Sequence, residues 1–181
     1  MRCRGTPLAV QRRVLGIDPS LSATGYAVLE EAGGGLHALV HGAVRTTTAT
    51  PRASRLLAIH DELLNLVRTW NPTAIAVESP FVAENVRSAM VIGEVRAVVL
   101  ITAASANIEP CEYSPAEIKQ VVTGYGRSDK QQVQDMVRRQ VTLDSEPTSF
   151  DAVDAIAVAI CHLVSSSRKA ALGRLAGSQA P

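Results

Sequence analysis

The chain has 181 residues, of which 46% are hydrophobic and 19% charged, and its 18 basic and 17 acidic side chains nearly cancel. This composition predicts one globular domain, and a chain of this length can bury enough apolar surface to fold without disulfides or a structural metal. No uninterrupted apolar run reaches the ~18 residues of a membrane span, so we expect no membrane contact. The three cysteines are scattered, with no C-x-x-C pair. We therefore expect a reducing compartment, by default the cytoplasm.

The two ends of the chain differ in composition from its middle. Residues 1–13 form a basic N-terminal lead-in, and residues 166–181 contain the Ser and Gly that are typical of a flexible C-terminal tail. No repeat, low-complexity tract or linker divides residues 14–165. We therefore expect one domain over residues 14–165.

The first half of the chain predicts three strands, a helix and a fourth strand. Apolar residues in 14–18, 24–30 and 36–47 predict strands, and three consecutive glycines between the second and third predict a hairpin turn. In 52–70 the apolar residues recur at helical spacing, and an Asn-Pro pair follows. Residues 74–78 form another apolar strand ending in an acid.

The second half predicts one further strand among helices. A long helix is expected over 83–106 and a strand around 108–113. Ser114 begins a capping box that predicts a short helix, and further helices are expected over 129–140 and 151–165. The predicted fold class is therefore α/β, with a mixed five-stranded sheet flanked by helices and its first three strands in a meander.

Four acids stand where chemistry would collect in such a fold. Asp18 and Glu78 each follow an apolar strand, and functional groups gather at the carboxyl ends of strands. Asp151 and Asp154 are three residues apart on the final helix, which puts both on one face. Four converging carboxylates would repel one another unless cations lay between them, and oxygen donors suit Mg²⁺ or Mn²⁺. Two such ions would support phosphodiester hydrolysis, so the acids point to a nuclease.

Each acid also has a structural interpretation. Asp18 before Pro19 is typical of a side-chain turn. Acids in the first turn of a helix commonly complement its dipole, which would explain Asp151 and Asp154. Glu78 closes a fully apolar strand, where a carboxylate is poorly solvated without a partner. The combination of the four, and not any one, favours a functional site.

Five motifs, in this order, resemble those of the RuvC family of Holliday junction resolvases. They are Gly16-Ile17-Asp18-Pro19-Ser20, then Thr24-Gly25-Tyr26, then Val77-Glu78-Ser79-Pro80-Phe81 with Asn85, then Val121-Val122-Thr123-Gly124-Tyr125-Gly126, and finally Asp151-Ala152-Val153-Asp154-Ala155. The resemblance covers about residues 14–164. It implies a ribonuclease H-like fold and a homodimer that makes paired symmetric nicks in four-way DNA junctions during recombination and repair. It also implies two Mg²⁺ or Mn²⁺ ions per active site and the branch-migration proteins RuvA and RuvB as partners.

The resemblance assigns roles to individual residues. Asp18, Glu78, Asp151 and Asp154 fall on the metal-binding catalytic acids of the family. Lys119 and Lys130 fall on lysines needed near the scissile phosphate, and Phe81 falls on an aromatic residue that contacts bases at the junction centre.

Three further residues are candidates for DNA binding beside these lysines and Phe81. Asn85 and Arg87 are close to Phe81 in sequence, and Arg127 belongs to a basic cluster that could neutralise phosphates. A solvated helix face is the structural alternative for such a cluster. Phe150, beside Asp151, is interpreted as a packing residue.

The sequence departs from the family pattern at two places. Ser20 stands where glycine is usual, and Glu94-Val95-Arg96-Ala97 replaces a more typical Gln-Ala-Arg-Gly, which could alter helix packing at the dimer contact. Two alternatives stay open. The same acidic scaffold could act on RNA–DNA hybrids or ordinary duplexes, or the chain could be a non-catalytic junction-binding module.

Overall fold

The computed structural model describes residues 12–79 and 86–177, except for the side chains of residues 86, 87 and 175–177. Its strands are β1 (Arg12–Asp18), β2 (Ala23–Ala32), β3 (Gly35–Arg45), β4 (Ala74–Glu78), β5 (Cys111–Tyr113) and β6 (Val141–Leu143). Its helices are α1 (Arg52–Trp70), α2 (Val86–Ser105), α3 (Pro115–Thr123), α4 (Lys130–Gln140) and α5 (Phe150–Gly177). The predicted order of elements is confirmed, with one strand added.

The strands form one mixed sheet in the order β5-β4-β1-β2-β3-β6. β1, β2 and β3 pair antiparallel as the predicted meander, whereas β4 runs parallel to β1, and β5 runs parallel to β4. The prediction of five strands is wrong, because β6 adds a sixth strand parallel to β3. β6 has only three residues directly after α4, too few to show a strand period.

Both predicted ends of the domain are also corrected. Arg12 and Arg13, assigned to the lead-in, begin β1 and pair across the strands with Glu31 and Glu30 at 3.1 and 2.8 Å. At the other end α5 continues to Gly177, so most of the predicted flexible tail is helical.

The two faces of the sheet carry separate apolar cores, and alternation along the strands assigns each residue to one of them. Val14, Ala76 and the apolar residues of α5 belong to one core. Leu15 and Ile17 belong to the other, with residues of α1 and α2. Because side chains alternate with period two, residue 18 of β1 and residue 78 of β4 lie on the α5 face of the sheet.

Two helices are long and apolar enough to cross a membrane, although the sequence analysis expects no membrane contact. They are Ser88–Ser105 of α2 and Phe150–Arg174 of α5. The α5 segment is 61% buried, which is typical of the core helix of a globular domain, whereas the α2 segment is only 22% buried. The apolar surface of α2 therefore needs a different explanation.

Capping boxes fix the first turns of the two short helices. Ser114 accepts from the backbone N–H of Glu117, and the Glu117 side chain accepts from the backbone N–H of Ser114, as the sequence predicts. Asp129 and Gln132 form the same reciprocal pair at the start of α4. Both helices therefore begin at defined positions, and α4 begins with Lys130.

Candidate active site

Two of the four acids lie side by side at the carboxyl ends of neighbouring parallel strands. Ile17 of β1 pairs with Val77 of β4, and the next residue in each strand is the acid, Asp18 or Glu78. The alternation described above turns both side chains toward α5. This register therefore places Asp18 and Glu78 side by side at one edge of the sheet, where the sequence analysis expects them.

The first turn of α5 brings the other two acids to the same place. An ideal Cβ on Gly25, which pairs with Asp18 across β1 and β2, would lie 2.0 Å from the backbone oxygen of Asp151. A Cβ on Gly16 would similarly lie 2.3 Å from the backbone oxygen of Ala155. Only glycine admits the helix at this distance, so these two residues dock α5 onto the sheet.

Burial and mutual repulsion perturb the acids on the strands. The pKa of Asp18 is raised from 3.8 to about 7, mainly by burial and then by the charges of Glu78, Asp154 and Asp151, in that order, against a smaller lowering by Lys130. Burial and Asp154 also raise the pKa of Glu78, while Lys119 and Lys130 lower it. The acids are therefore close enough to share one electrostatic environment, which favours a bound cation or proton.

Basic side chains contact the two acids of α5. Lys130 Nζ lies 3.0 Å from Asp154 Oδ2, and an Arg45 guanidinium nitrogen lies 3.7 Å from Asp151 Oδ2. Over residues 12–79 and 86–177, no three His, Cys, Asp or Glu side chains are gathered closely enough to hold a metal ion as they stand. In this structure, each of the two carboxylates of α5 therefore has a basic partner at one of its two oxygens.

A cavity of about 260 Å³ opens beside the acids. It is lined by Glu78, Pro115, Ile118, Lys119, Lys130, Val133, Asp154 and Ala157. Two carboxylates and two ammonium groups therefore line one cavity, a combination that suits a divalent cation together with a phosphate. The donor set consists of carboxylate oxygens, which fits Mg²⁺ or Mn²⁺ better than a softer metal.

The remaining predicted DNA-binding residues are not gathered in this cavity. Arg127 is exposed in the loop between α3 and α4. Phe81 and Asn85 lie outside the described residues, and of Arg87 only the backbone, in α2, is described. Their predicted contacts with DNA stay predictions.

Two residues of the site were missed by the sequence reasoning. Arg45 ends β3, and its approach to Asp151 depends on the docking of α5, which no local pattern shows. Phe150 was interpreted as a packing residue, and this is wrong, because its side chain is 60% exposed. Its ring lies under Lys130, with Nζ 4.9 Å from the ring centroid. The sequence signal that could have indicated this position is the spacing of Phe150, which is four residues before Asp154 and therefore on the same helix face.

The two departures from the family pattern have local explanations. Ser20 needs no left-handed backbone, because Asn71 and Asn107 are the non-glycine residues with positive φ in the described part of the chain. In the second departure, Glu94 lies 2.8 Å from Arg52 of α1, and Val95 is buried in the core that α1 and α2 share. Both of these substituted residues therefore contact the chain's own domain.

Comparisons with known proteins find close similarity over nearly the whole domain. A family model described as crossover junction endodeoxyribonuclease RuvC matches residues 14–162. A protein of that name from Heliobacterium modesticaldum is 47% identical over 148 residues, which cover 82% of this chain and 91% of the relative. One from Thermomicrobium roseum is 43% identical over 162 residues, which cover 90% and 98%.

Solved structures agree with the sequence comparison. The structure described as Thermus thermophilus RuvC in complex with Holliday junction substrate superimposes with a TM-score of 0.81 at 29% identity, covering 86% of this chain and 94% of that one. The yeast mitochondrial Holliday junction resolvase Ydc2, at 17% identity, has a TM-score of 0.58 and supports the fold alone.

Proposed function

Because this chain belongs to the RuvC family of crossover junction endodeoxyribonucleases, we propose that its acidic cluster cuts four-way DNA junctions in recombination and repair. The ribonuclease H-like α/β fold implied by the resemblance is that of its structural relatives. The observation that carries the proposal is the convergence of Asp18, Glu78, Asp151 and Asp154 from β1, β4 and α5 onto one face of the sheet.

The enzyme is a metal-dependent hydrolase, and the four acids fit two Mg²⁺ or Mn²⁺ ions. When bound, such ions activate a water molecule and stabilise charge on the departing oxygen of the phosphodiester. Asp18 is the central ligand in this proposal, since the other three carboxylates all act on its charge. Glu78, Asp151 and Asp154 complete the set of oxygen donors around it.

The two lysines of the cavity supply positive charge to the scissile phosphate. Lys119 and Lys130 line the cavity with Glu78 and Asp154, so a phosphate bound there would be close to both ammonium groups. Fixed positive charge stabilises the negative charge that develops on the phosphate oxygens during the reaction. Arg127, Arg87, Asn85 and Phe81 are proposed to contact DNA outside this cavity.

A homodimer is proposed because one junction must be nicked twice, and a two-fold dimer presents two equal sites to a near two-fold substrate. The exposed face of α2 fits this role. Its large exposed side chains are Met90 at 64%, Leu100 at 46% and Ile101 at 59%, and the exposed positions between them include Gly93 and Ala97. A helix with this apolar face packs favourably against a second copy.

We expect Ile101→Asp to convert the dimer to a monomer at micromolar concentration, because a charge would be buried in the helix contact. Analytical ultracentrifugation measures the mass. Leu172→Asp is the matched control, since Leu172 is equally exposed, at 66%, but belongs to α5. A dimer that survives Ile101→Asp, or one that is lost in Leu172→Asp, would place the contact elsewhere.

RuvA and RuvB are proposed partners on the ground of family membership alone, and no surface of this chain is assigned to them. A cytoplasmic location is proposed on the same ground and on the cysteines. Cys111 and Cys161 are free thiols, and Cys161 is fully buried in the core.

The function is tested by offering the full chain a synthetic four-way junction, a linear duplex and an RNA–DNA hybrid, each with Mg²⁺ and with Mn²⁺. We expect paired symmetric nicks in the junction that ligase reseals, and cleavage of the other two substrates that is at least about tenfold slower. Cleavage confined to the duplex or the hybrid would support metal-dependent hydrolysis but contradict the four-way junction as the substrate. Binding of the junction with no cleavage of any substrate would favour the non-catalytic module.

A further inference from the structure

Phe150 has an unusual position for a phenylalanine at the start of a helix. It is the first residue of α5, and its side chain is 60% exposed. A large apolar ring that faces solvent gains little from burial, so packing does not explain it. Its described contact is with a charged group of the active site, because Lys130 Nζ lies 4.9 Å from the ring centroid.

The ring and one acid of the cluster contact the same ammonium group. Phe150 and Asp154 are four residues apart on α5, which puts both on one face of the helix. Lys130 Nζ lies 3.0 Å from Asp154 Oδ2 and 4.9 Å from the centroid of the Phe150 ring. The capping box of Asp129 and Gln132 fixes the backbone from which Lys130 extends. The ring and the acid therefore restrain the side-chain torsions of Lys130.

The two contacts of the ammonium group differ in what happens to them during the reaction. Asp154 is a proposed metal ligand, so its contact with Lys130 is weakened when the acid is engaged elsewhere. The ring of Phe150 has no such competing partner among the described residues. The face of an aromatic ring attracts an ammonium group electrostatically, and that attraction does not depend on Asp154.

We propose that Phe150 is a positioning residue whose ring keeps the Lys130 ammonium at the edge of the cavity, beside the scissile phosphate, when Asp154 is no longer its partner. This inference rests on the proposed function, since it assumes that Lys130 serves the phosphate. A lysine side chain has many rotamers, and the ring restricts which of them Lys130 adopts. Because the ring is uncharged, it neither repels a bound metal ion nor attracts the phosphate.

The first test is a substitution series at Phe150 with cleavage of the junction as the readout. Phe150→Leu removes the aromatic face at similar size, and Phe150→Tyr and Phe150→Trp keep it. We expect Phe150→Leu to lower kcat about threefold to tenfold with KM for the junction unchanged, and we expect Tyr and Trp to restore it. In a Lys130→Gln background, Phe150→Leu should have no further effect, since the pair acts as a unit.

The second test observes the contact itself and needs neither DNA nor cleavage. In protein with isotope-labelled lysine, the Lys130 ε-methylene resonance is expected to lie upfield because of the ring current. It should return to its ordinary position in Phe150→Leu and stay upfield in wild type after Mg²⁺ is added. A resonance at the ordinary position in wild type, or one that moves there with Mg²⁺, would overturn the inference.

The outcomes separate this inference from the proposed function. If wild type cleaves no junction, the function fails, while the methylene resonance still decides whether the ring holds Lys130. An unchanged kcat in Phe150→Leu would overturn the positioning role, and so would a loss that persists in the Lys130→Gln background. A rise in KM with kcat unchanged would also overturn it, because the ring would then contact DNA directly.

Discussion

Replacing Asp18 by asparagine is expected to lower the rate of junction cleavage by about a thousandfold or more while junction binding is retained. Asp18 lies at the centre of the cluster, and all three other acids act on its charge. An amide has the same shape but is a weak ligand for a hard cation. The loss should therefore fall on kcat, because the basic groups that are proposed to contact DNA are unchanged.

The same substitution is expected to stabilise the metal-free protein at neutral and higher pH. The pKa of Asp18 rises from 3.8 to about 7 on folding, so the folded state binds the proton more tightly than the unfolded state. Wild type therefore loses stability as the pH rises from about 4 to about 7, by up to about 4 kcal/mol. Asparagine carries no charge, so Asp18→Asn should show a smaller loss, which comes from Glu78, whose pKa is also raised by burial and by Asp154.

Urea unfolding of the metal-free protein at pH 5 and pH 8 measures this difference. Mg²⁺ at pH 8 should raise the midpoint of wild type more than that of Asp18→Asn, since a ligand that binds only the folded state stabilises it. Asp61→Asn is the control, because Asp61 is exposed on α1. Equal Mg²⁺ stabilisation in wild type and Asp18→Asn, or full cleavage by Asp18→Asn, would remove Asp18 from the metal site.

Gly25→Ala is expected to destabilise the protein by about 3 kcal/mol or more, although it adds a single methyl group. The new Cβ would lie 2.0 Å from the backbone oxygen and 2.6 Å from the carbonyl carbon of Asp151. Backbone atoms cannot rotate away as a flexible side chain can, so α5 must move off the sheet. Asp151 and Asp154 would move with it, and a shift of about 1 Å costs about a hundredfold in rate.

Thermal unfolding and the cleavage rate of Gly25→Ala measure both effects together. Gly173→Ala is the matched control, since Gly173 lies in α5 with nothing within 4 Å of its added Cβ. Alanine is the better helix former by about 1 kcal/mol, so this variant should be as stable as wild type or more so. A Gly25→Ala protein with unchanged stability and rate would show that α5 does not dock as closely as described.

The sequence predicted those parts of the fold and site that local patterns determine. The apolar runs that end in Asp18 and Glu78 define β1 and β4, and the helical period bounds α1 at the residues observed. The convergence of the acids followed from where strands end in an α/β sheet. These features depend on residues that are near one another in the chain.

The features that the sequence did not predict depend on contacts between distant residues. β6 is three residues long and exists as a strand because β3 lies beside it. The contact of Phe150 with Lys130 depends on where α4 lies against α5, and Arg45 meets Asp151 only once α5 is docked. Gly25 belonged to a recognised motif, but its physical reason, the backbone of Asp151, became apparent only in the structure.

The acids of the cluster come from opposite ends of the described chain, so the order of folding decides when they meet. Asp18 lies in β1, whereas Asp151 and Asp154 lie in α5. Almost the whole chain must close into a loop before the four acids meet, and that closure is opposed by chain entropy until α5 packs on the sheet. A chain that ends before α5, or in which α5 has not docked, therefore brings together at most Asp18 and Glu78. With the four acids acting as proposed, DNA cleavage can begin only after this last packing step.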